Sequence, residues 1–292
     1  MPYAKYFLSK AKPAIDPKVL KLFIKRALIE DIGKNDITTT LIIPTNKKIK
    51  ACLVANENFL ICGLAIAKNV FTQVDSKIDF KARVKEGSCV KAGAVIAVIS
   101  GNAANILKAE RVSLNLLSML SGIASRTKEY VDKVKPYGVK IVDTRKTFPG
   151  LRELSKYAVR IGGGYNHRIR LDEMILIKDN HIKVIAGCFK LPPKTKNYKL
   201  EIEAQSFKEF LSALKLKPDV IMLDNMKISD IKKAVKTRNW LKSKNQDYPQ
   251  LEASGGINLN NIRKYASTGV NIISIGELTD SVKSTDISLD VL

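Results

Sequence analysis

Six short apolar runs in the second part of the chain each end in side chains able to do chemistry. The run 139–143 leads into Asp143, Thr144, Arg145 and Lys146, and 174–179 ends at Lys178 and Asp179, followed by Asn180. The run 200–204 carries Glu201 and Glu203, and 219–224 ends at Asp224, followed by Asn225. The run 251–256 carries Glu252, Ser254, Gly255 and Gly256, and 271–277 carries Ser274 and Gly276. The chain has two histidines, and both fall beside these ends: His167 in 162-GGGYNHR-168 and His181 in 178-KDNH-181. One polar residue at a strand end needs no function. Six ends carrying both signs of charge favour a single convergent site, because the carboxyl ends of parallel strands in an α/β barrel meet on one face.

The cations in this group are Arg111, Arg145, Lys146, His167, Arg168 and Lys178. They suit a ligand with several carboxylates or phosphates, since guanidinium forks bind both bidentately. Glu203 and Asp224 offer the oxygen ligands that Mg²⁺ prefers, and could equally hold ribose hydroxyls. Ser254, Gly255, Gly256 and Gly276 are small and leave backbone N–H groups open to a phosphate. The expectation is a phosphorylated, multiply anionic substrate, with Mg²⁺. Gly162–Gly164 permits close backbone approach, but it is not a GxGxxG fingerprint, and the chain has no Walker A lysine motif.

The elements that must position these residues follow from periodicity. Residues 17–31 put Leu20, Phe23, Ile24, Ala27 and Leu28 on one helical face, and Gly33 can end that helix. β-Prone runs follow at 49–57, 78–85 and 95–100, with a glycine-punctuated hairpin turn at 86–93. Residues 103–134 read as one long helix, broken near Gly122. The later apolar runs lack clean alternation, as parallel strands covered on both faces do, and their β–α spacing predicts a parallel barrel or doubly wound sheet.

Composition sets the outer bounds. The chain has 292 residues, 50 Lys or Arg against 28 Asp or Glu, and a formal charge of +22. That charge points to polyanionic partners without choosing among them. A hydrophobic content of 45% fits a globular core and argues against general disorder. No apolar stretch approaches the ~20 residues that span a bilayer. The N-terminus does not read as a signal peptide. The four cysteines, Cys52, Cys62, Cys89 and Cys188, form no CxxC pair, so a reducing cytoplasm is the expected location.

Several segments together resemble the quinolinate phosphoribosyltransferases: 30-EDIGKNDITT-39, 143-DTRKTFPGLRELSKYAVRIGGGYNHR-168, 174-MILIKDNHI-182, 221-IMLDN-225, 252-EASGGI-257 and 272-IISIGELT-279. The resemblance runs in order over nearly the whole chain. It implies an α/β fold of type II phosphoribosyltransferase architecture: an N-terminal α/β sandwich over 1–112, completed by 280–292, and an incomplete parallel α/β barrel over 113–279. It implies a pentosyltransferase of NAD biosynthesis that joins quinolinate to phosphoribosyl pyrophosphate, giving nicotinate mononucleotide, pyrophosphate and CO₂. By the same resemblance Arg145, Lys146, His167, Arg168 and Lys178 line the substrate pocket, with Lys146, Glu203 and Asp224 closest to the chemistry. Glu203 and Asp224 lie near ribose and Mg²⁺, contacted largely through substrate and water, and Glu203 fits that spacing better than Glu201. Ser254, Gly255, Gly256, Ser274 and Gly276 serve the phosphate end. Arg111 crosses the interface of a homodimer, or of a larger assembly of dimers. Asn35, Phe148, Arg170 and Asp280 depart from the family pattern.

Two other readings compete. A nicotinate-using transferase on the same barrel would need fewer cations for a monocarboxylate. A nucleic-acid binder would explain +22, but calls for clustered basic stretches with interleaved aromatics. The lysines here are dispersed, so neither nucleic acid nor membrane is an expected partner.

Overall fold

A computed structural model describes residues 15–185 and 192–292. Cys188 lies outside the described residues. The first elements in chain order are α1 (Pro17–Ile32), α2 (Ile37–Ile42), β1 (Lys48–Ala55), β2 (Phe59–Leu60), α3 (Leu64–Val74), β3 (Asp79–Ala82), β4 (Cys89–Val90), β5 (Val95–Asn102) and α4 (Ala103–Val134). There follow β6 (Lys140–Val142), α5 (Arg152–Ile161), β7 (Ile175–Ile177), α6 (Asp179–Val184), β8 (Leu200–Ala204), α7 (Phe207–Leu214) and β9 (Val220–Asp224). The chain ends with α8 (Ile228–Ser243), β10 (Gln250–Ser254), α9 (Ile262–Ala266), β11 (Ile272–Ser274), α10 (Glu277–Asp280) and β12 (Ile287–Val291).

The backbone divides into two compact units. Among the described residues, one comprises 15–126, 148–163 and 281–292. It holds an antiparallel sheet in the order β12-β1-β5-β3. The C-terminal β12 pairs along β1, Ala51 opposite Val291 through Ala55 opposite Ile287. α1 begins at Pro17, where a proline costs no hydrogen bond, and Asp16 caps it by accepting from the Lys18 N–H at 2.7 Å. α3 buries Leu64, Ile66, Ala67, Val70 and Phe71, and the Phe71 ring sits 5.9 Å from that of Phe80 on β3. Glu86, inside the glycine-punctuated turn, accepts from the N–H groups of Gly63 and Leu64 at 2.7 and 2.9 Å and so caps α3. That turn is the β3–β5 connection, with β4 paired to β2.

Among the described residues, the other unit includes 127–147, 164–185 and 192–280. Its six described strands are parallel, in the order β6-β11-β10-β9-β8-β7. The order leaves β6 and β7 at the two edges, so the sheet is an incomplete barrel. Leu200, Ile202, Ile221, Leu223, Leu251, Ala253 and Ile273 form much of its apolar core. Burying each large aliphatic side chain contributes about 1.5–3 kcal/mol.

The compact units divide the chain differently from the boundary expected at 112/113. The domain boundary at 112/113 falls within α4, and the packing divides instead at 126/127. A helix running through a boundary keeps its periodicity, so nothing in the sequence marks the change. Residues 148–163, expected in the barrel, pack with the N-terminal unit. α4 is also unbroken at Gly122. A Cβ there would stand 2.0 Å from the carbonyl oxygen of Lys283, so this glycine admits a neighbouring chain rather than ending a helix.

Candidate active site

Strand alternation places the polar side chains. Along β8, Glu201 and Glu203 point to one side and Leu200, Ile202 and Ala204 to the other; Met222 with Asp224 and Glu252 with Ser254 follow the same rule on β9 and β10. Register aligns them: Glu203 is opposite Met222, Met222 opposite Glu252, and Asp224 opposite Ser254.

These strand ends surround a cavity of about 950 Å³. Its walls include Arg145, Lys146, His167, Arg168, Lys178, Glu203, Asp224, Ser254, Gly255, Gly256, Ser274 and Gly276. Every site residue expected from the sequence is therefore brought together except Arg111, which is exposed on α4 and does not line the cavity. Of the departures, Asp280 lines the cavity, whereas Asn35, Phe148 and Arg170 do not.

Local contacts hold each group. The Lys146 backbone N–H donates to Thr144 Oγ1 at 3.0 Å, and Thr279 Oγ1 donates to the Lys146 carbonyl at 2.7 Å, tying the loop after β6 to α10. Lys178 Nζ donates to Glu203 Oε2 at 3.0 Å. Burial and the neighbouring Arg145 pull the Arg168 guanidinium down from its ordinary pKa, against the raising influence of Glu201 and Glu173. Arg168 also donates through Nη1 to the Met174 carbonyl at 3.1 Å. Gly255 and Gly256 both have positive φ, 91° and 60°. A loop of this kind turns backbone N–H groups toward a bound anion. A Cβ at Gly276 would lie 2.9 Å from Asp280 Oδ2 and 3.3 Å from Lys146 Cδ. Tyr130 donates to the carboxylate of Glu277 on the cavity wall.

Beneath the cavity, Asp143, His167, Glu201 and Glu252, all named at the strand ends, form a buried network that their positions alone did not assign. Asp143, fully buried, accepts from the His167 N–H at 2.9 Å and from Asn166 Nδ2 at 2.5 Å. It is a scaffold carboxylate. His167 Nδ1 accepts from the Arg168 N–H at 2.9 Å, so the imidazole proton resides on Nε2. Nε2 faces Glu201 Oε2 at 3.0 Å and Glu252 Oε2 at 3.7 Å, and both glutamates are completely buried. Burial, and then the charge of Glu201, push the Glu252 pKa up to about 8. The three groups are spaced like metal ligands. The tautomer opposes that use: a metal on Nε2 requires Nδ1 to carry the proton, and Nδ1 instead faces an N–H donor. The only sequence signal for this network was period-two spacing, Glu252 two before Ser254 and Glu201 two before Glu203.

The histidines separate in role. His181 Nδ1 accepts from the Lys178 N–H at 3.0 Å and caps α6. It lines a second hollow of about 740 Å³ beside β7, walled largely by Leu171, Met174, Ile175, Ile177, Val184 and Tyr198.

Residues 36–121 match the family described as quinolinate phosphoribosyl transferase, N-terminal domain, and residues 123–290 the corresponding C-terminal domain. A probable nicotinate-nucleotide pyrophosphorylase [carboxylating] of Methanocaldococcus jannaschii is 41% identical over 275 residues, covering 92% of this chain and 96% of that protein. One from Bacillus subtilis is 40% identical over 278 residues, covering 93% of each. The solved nicotinate-nucleotide pyrophosphorylase of Francisella tularensis superposes with a TM-score of 0.88 at 36% identity, covering 97% of this chain and 99% of that one. No described helix is long and apolar enough to cross a membrane.

Proposed function

The chain belongs to the quinolinate phosphoribosyltransferase family, and we propose that the cavity residues divide that family's reaction among themselves as follows. Quinolinate brings two carboxylates, and Arg145, Arg168 and Lys178 hold them with the ring nitrogen facing the anomeric carbon of phosphoribosyl pyrophosphate. His167 packs beside them. The Gly255–Gly256 loop, with Ser254, Ser274 and Gly276, takes the 5′-phosphate. Glu203 and Asp224 meet the ribose hydroxyls, and Lys146 meets the leaving pyrophosphate.

The chemistry follows from this placement. The nitrogen lone pair forms the N–C1 bond as the C1–O bond to pyrophosphate breaks, through an oxocarbenium-like transition state. Glu203 and Asp224 offset positive charge on the sugar, and Lys146 offsets negative charge on the leaving group. The product ring nitrogen is cationic. The electron pair of the C2–carboxylate bond then falls onto C2 beside that cation, CO₂ departs, and C2 takes a proton. No protein nucleophile is needed, so positioning and electrostatics supply the rate.

Glu203 and Asp224 are hard oxygen donors on the wall of one cavity and fit Mg²⁺, directly or through water. When bound, the ion would neutralise charge on the pyrophosphate. Arg111 is proposed to reach the site from a second subunit of a homodimer. The cytoplasm is the proposed location, in keeping with cysteines scattered along the sequence and free at Cys52, Cys62 and Cys89.

The observation that carries this reading is the meeting of Arg145, Lys146, Arg168 and Lys178 with Glu203, Asp224 and the left-handed Gly255–Gly256 pair on one cavity. The test is a purified-enzyme assay with phosphoribosyl pyrophosphate and either quinolinate or nicotinate. CO₂ release and nicotinate mononucleotide from quinolinate are expected; turnover of nicotinate alone would overturn it.

A further inference from the structure

Asn225 follows the last residue of β9 and has no role in the scheme above. Its φ is +53°, a left-handed conformation. Asparagine tolerates this region better than most residues, yet glycine would adopt it at lower cost. A turn alone would thus be served best by glycine, and the side chain calls for its own account.

That side chain makes two contacts. Nδ2 donates to Asp224 Oδ2 at 2.8 Å. The amide also rests on Gly255, where a Cβ would come within 2.2 Å of Asn225 Oδ1. The Asn225 backbone N–H donates to the Ser254 carbonyl at 2.9 Å, prolonging the β9–β10 pairing by one residue. One residue therefore touches an acidic strand end, the end of the next strand, and the glycine loop that follows it. Asn225 itself lines the cavity.

We propose that Asn225 is a positioning residue for the ribose 5-phosphate half of the substrate. Its amide fixes the Asp224 carboxylate, leaving Oδ1 for a sugar hydroxyl, and its seat on Gly255 sets the phosphate loop at a fixed distance from that carboxylate. The inference rests on the reading that Asp224 meets ribose hydroxyls and Gly255–Gly256 meet phosphate.

The test uses the full-length variants N225G, N225D, D224N and D224N/N225G. Ribose 5-phosphate is titrated calorimetrically, and KM is measured for both substrates. N225G keeps the left-handed backbone and loses the amide; N225D keeps size and backbone but cannot donate. Both are expected to weaken ribose 5-phosphate binding and raise KM for phosphoribosyl pyrophosphate by roughly 10- to 100-fold, the scale of a lost hydrogen bond to a charged group. KM for quinolinate should stay near wild type, which a general loosening of the fold would not allow. The double variant should be no worse than D224N, because the amide acts through Asp224. Wild-type binding by either folded Asn225 variant, beside a weakened D224N, overturns the inference alone. Unchanged binding by D224N overturns the Asp224 reading and the inference with it.

Discussion

At the scale of single residues, the floor of the cavity is governed by one buried proton. Glu201 and Glu252 are both fully enclosed and share the Nε2 side of His167. Two charges there would have no water to stabilise them, so Glu252 remains a neutral acid up to about pH 8. The stability consequence has a definite sign. Unfolded, Glu252 ionises near its ordinary value of 4.5; folded, it holds its proton to about 8. Between those values the native state binds the extra proton, so stability falls as pH rises. Glu252→Gln removes the linkage while keeping the shape. The expected outcome is that E252Q gains on wild type between pH 5 and pH 8, read as the difference in urea midpoints at the two pH values. An equal difference at both would show that Glu252 is ionised in the fold. The sequence named these residues but not their burial or the shared proton. Glu201 and Glu203 are the same residue type two positions apart and both are buried, and only the packing turns one toward His167 and the other toward Lys178 and the cavity wall.

At the scale of elements, the sequence was legible where periodicity decides and opaque where a neighbour does. The helix over 103–134, the helix stopped by Gly33 and the runs 200–204 and 219–224 follow from local pattern, and the structure has each of them. Gly122 shows the limit. A mid-helix glycine reads locally as a break, since glycine costs about 1 kcal/mol against alanine there. Its actual reason lies 161 positions away, in the carbonyl of Lys283 packed against the helix. Gly122→Ala therefore sets two effects in opposition. Propensity gains about 1 kcal/mol, while forcing a methyl into a 2.0 Å gap against backbone costs about 1–3 kcal/mol or more. Overpacking wins, and the expected result is a lower thermal midpoint with the segment 281–292 displaced from its seat on α4. A midpoint above wild type would mean the close approach is not maintained in solution.

At the scale of the whole molecule, the +22 charge resolves into parts. Arg145, Lys146, Arg168 and Lys178 converge on the cavity, facing Asp179, Glu203, Asp224, Glu252, Glu277 and Asp280, so the site itself carries no excess of positive charge. The excess charge lies elsewhere on the surface and can steer anionic substrates without choosing them. Arg111 is the one expected site cation that does not line the cavity, and its proposed place is the site of a second subunit. The sequence pattern alone could not place it, because a helix carries no mark of which subunit's site it serves. Subunit mixing tests the assignment. R111A and R145A homo-oligomers should each be nearly inactive, since truncating one charged contact costs roughly 2–5 kcal/mol. If the proposed homodimer forms, co-expression gives mixed dimers in which one barrel keeps its own Arg145 and receives Arg111 from its partner. With random pairing, half the dimers are mixed and one of the two sites in each is intact, so about a quarter of wild-type activity should return. Failure of the mixture to exceed either variant, with mixed dimers verified by tandem affinity tags, would mean that Arg111 serves only its own chain.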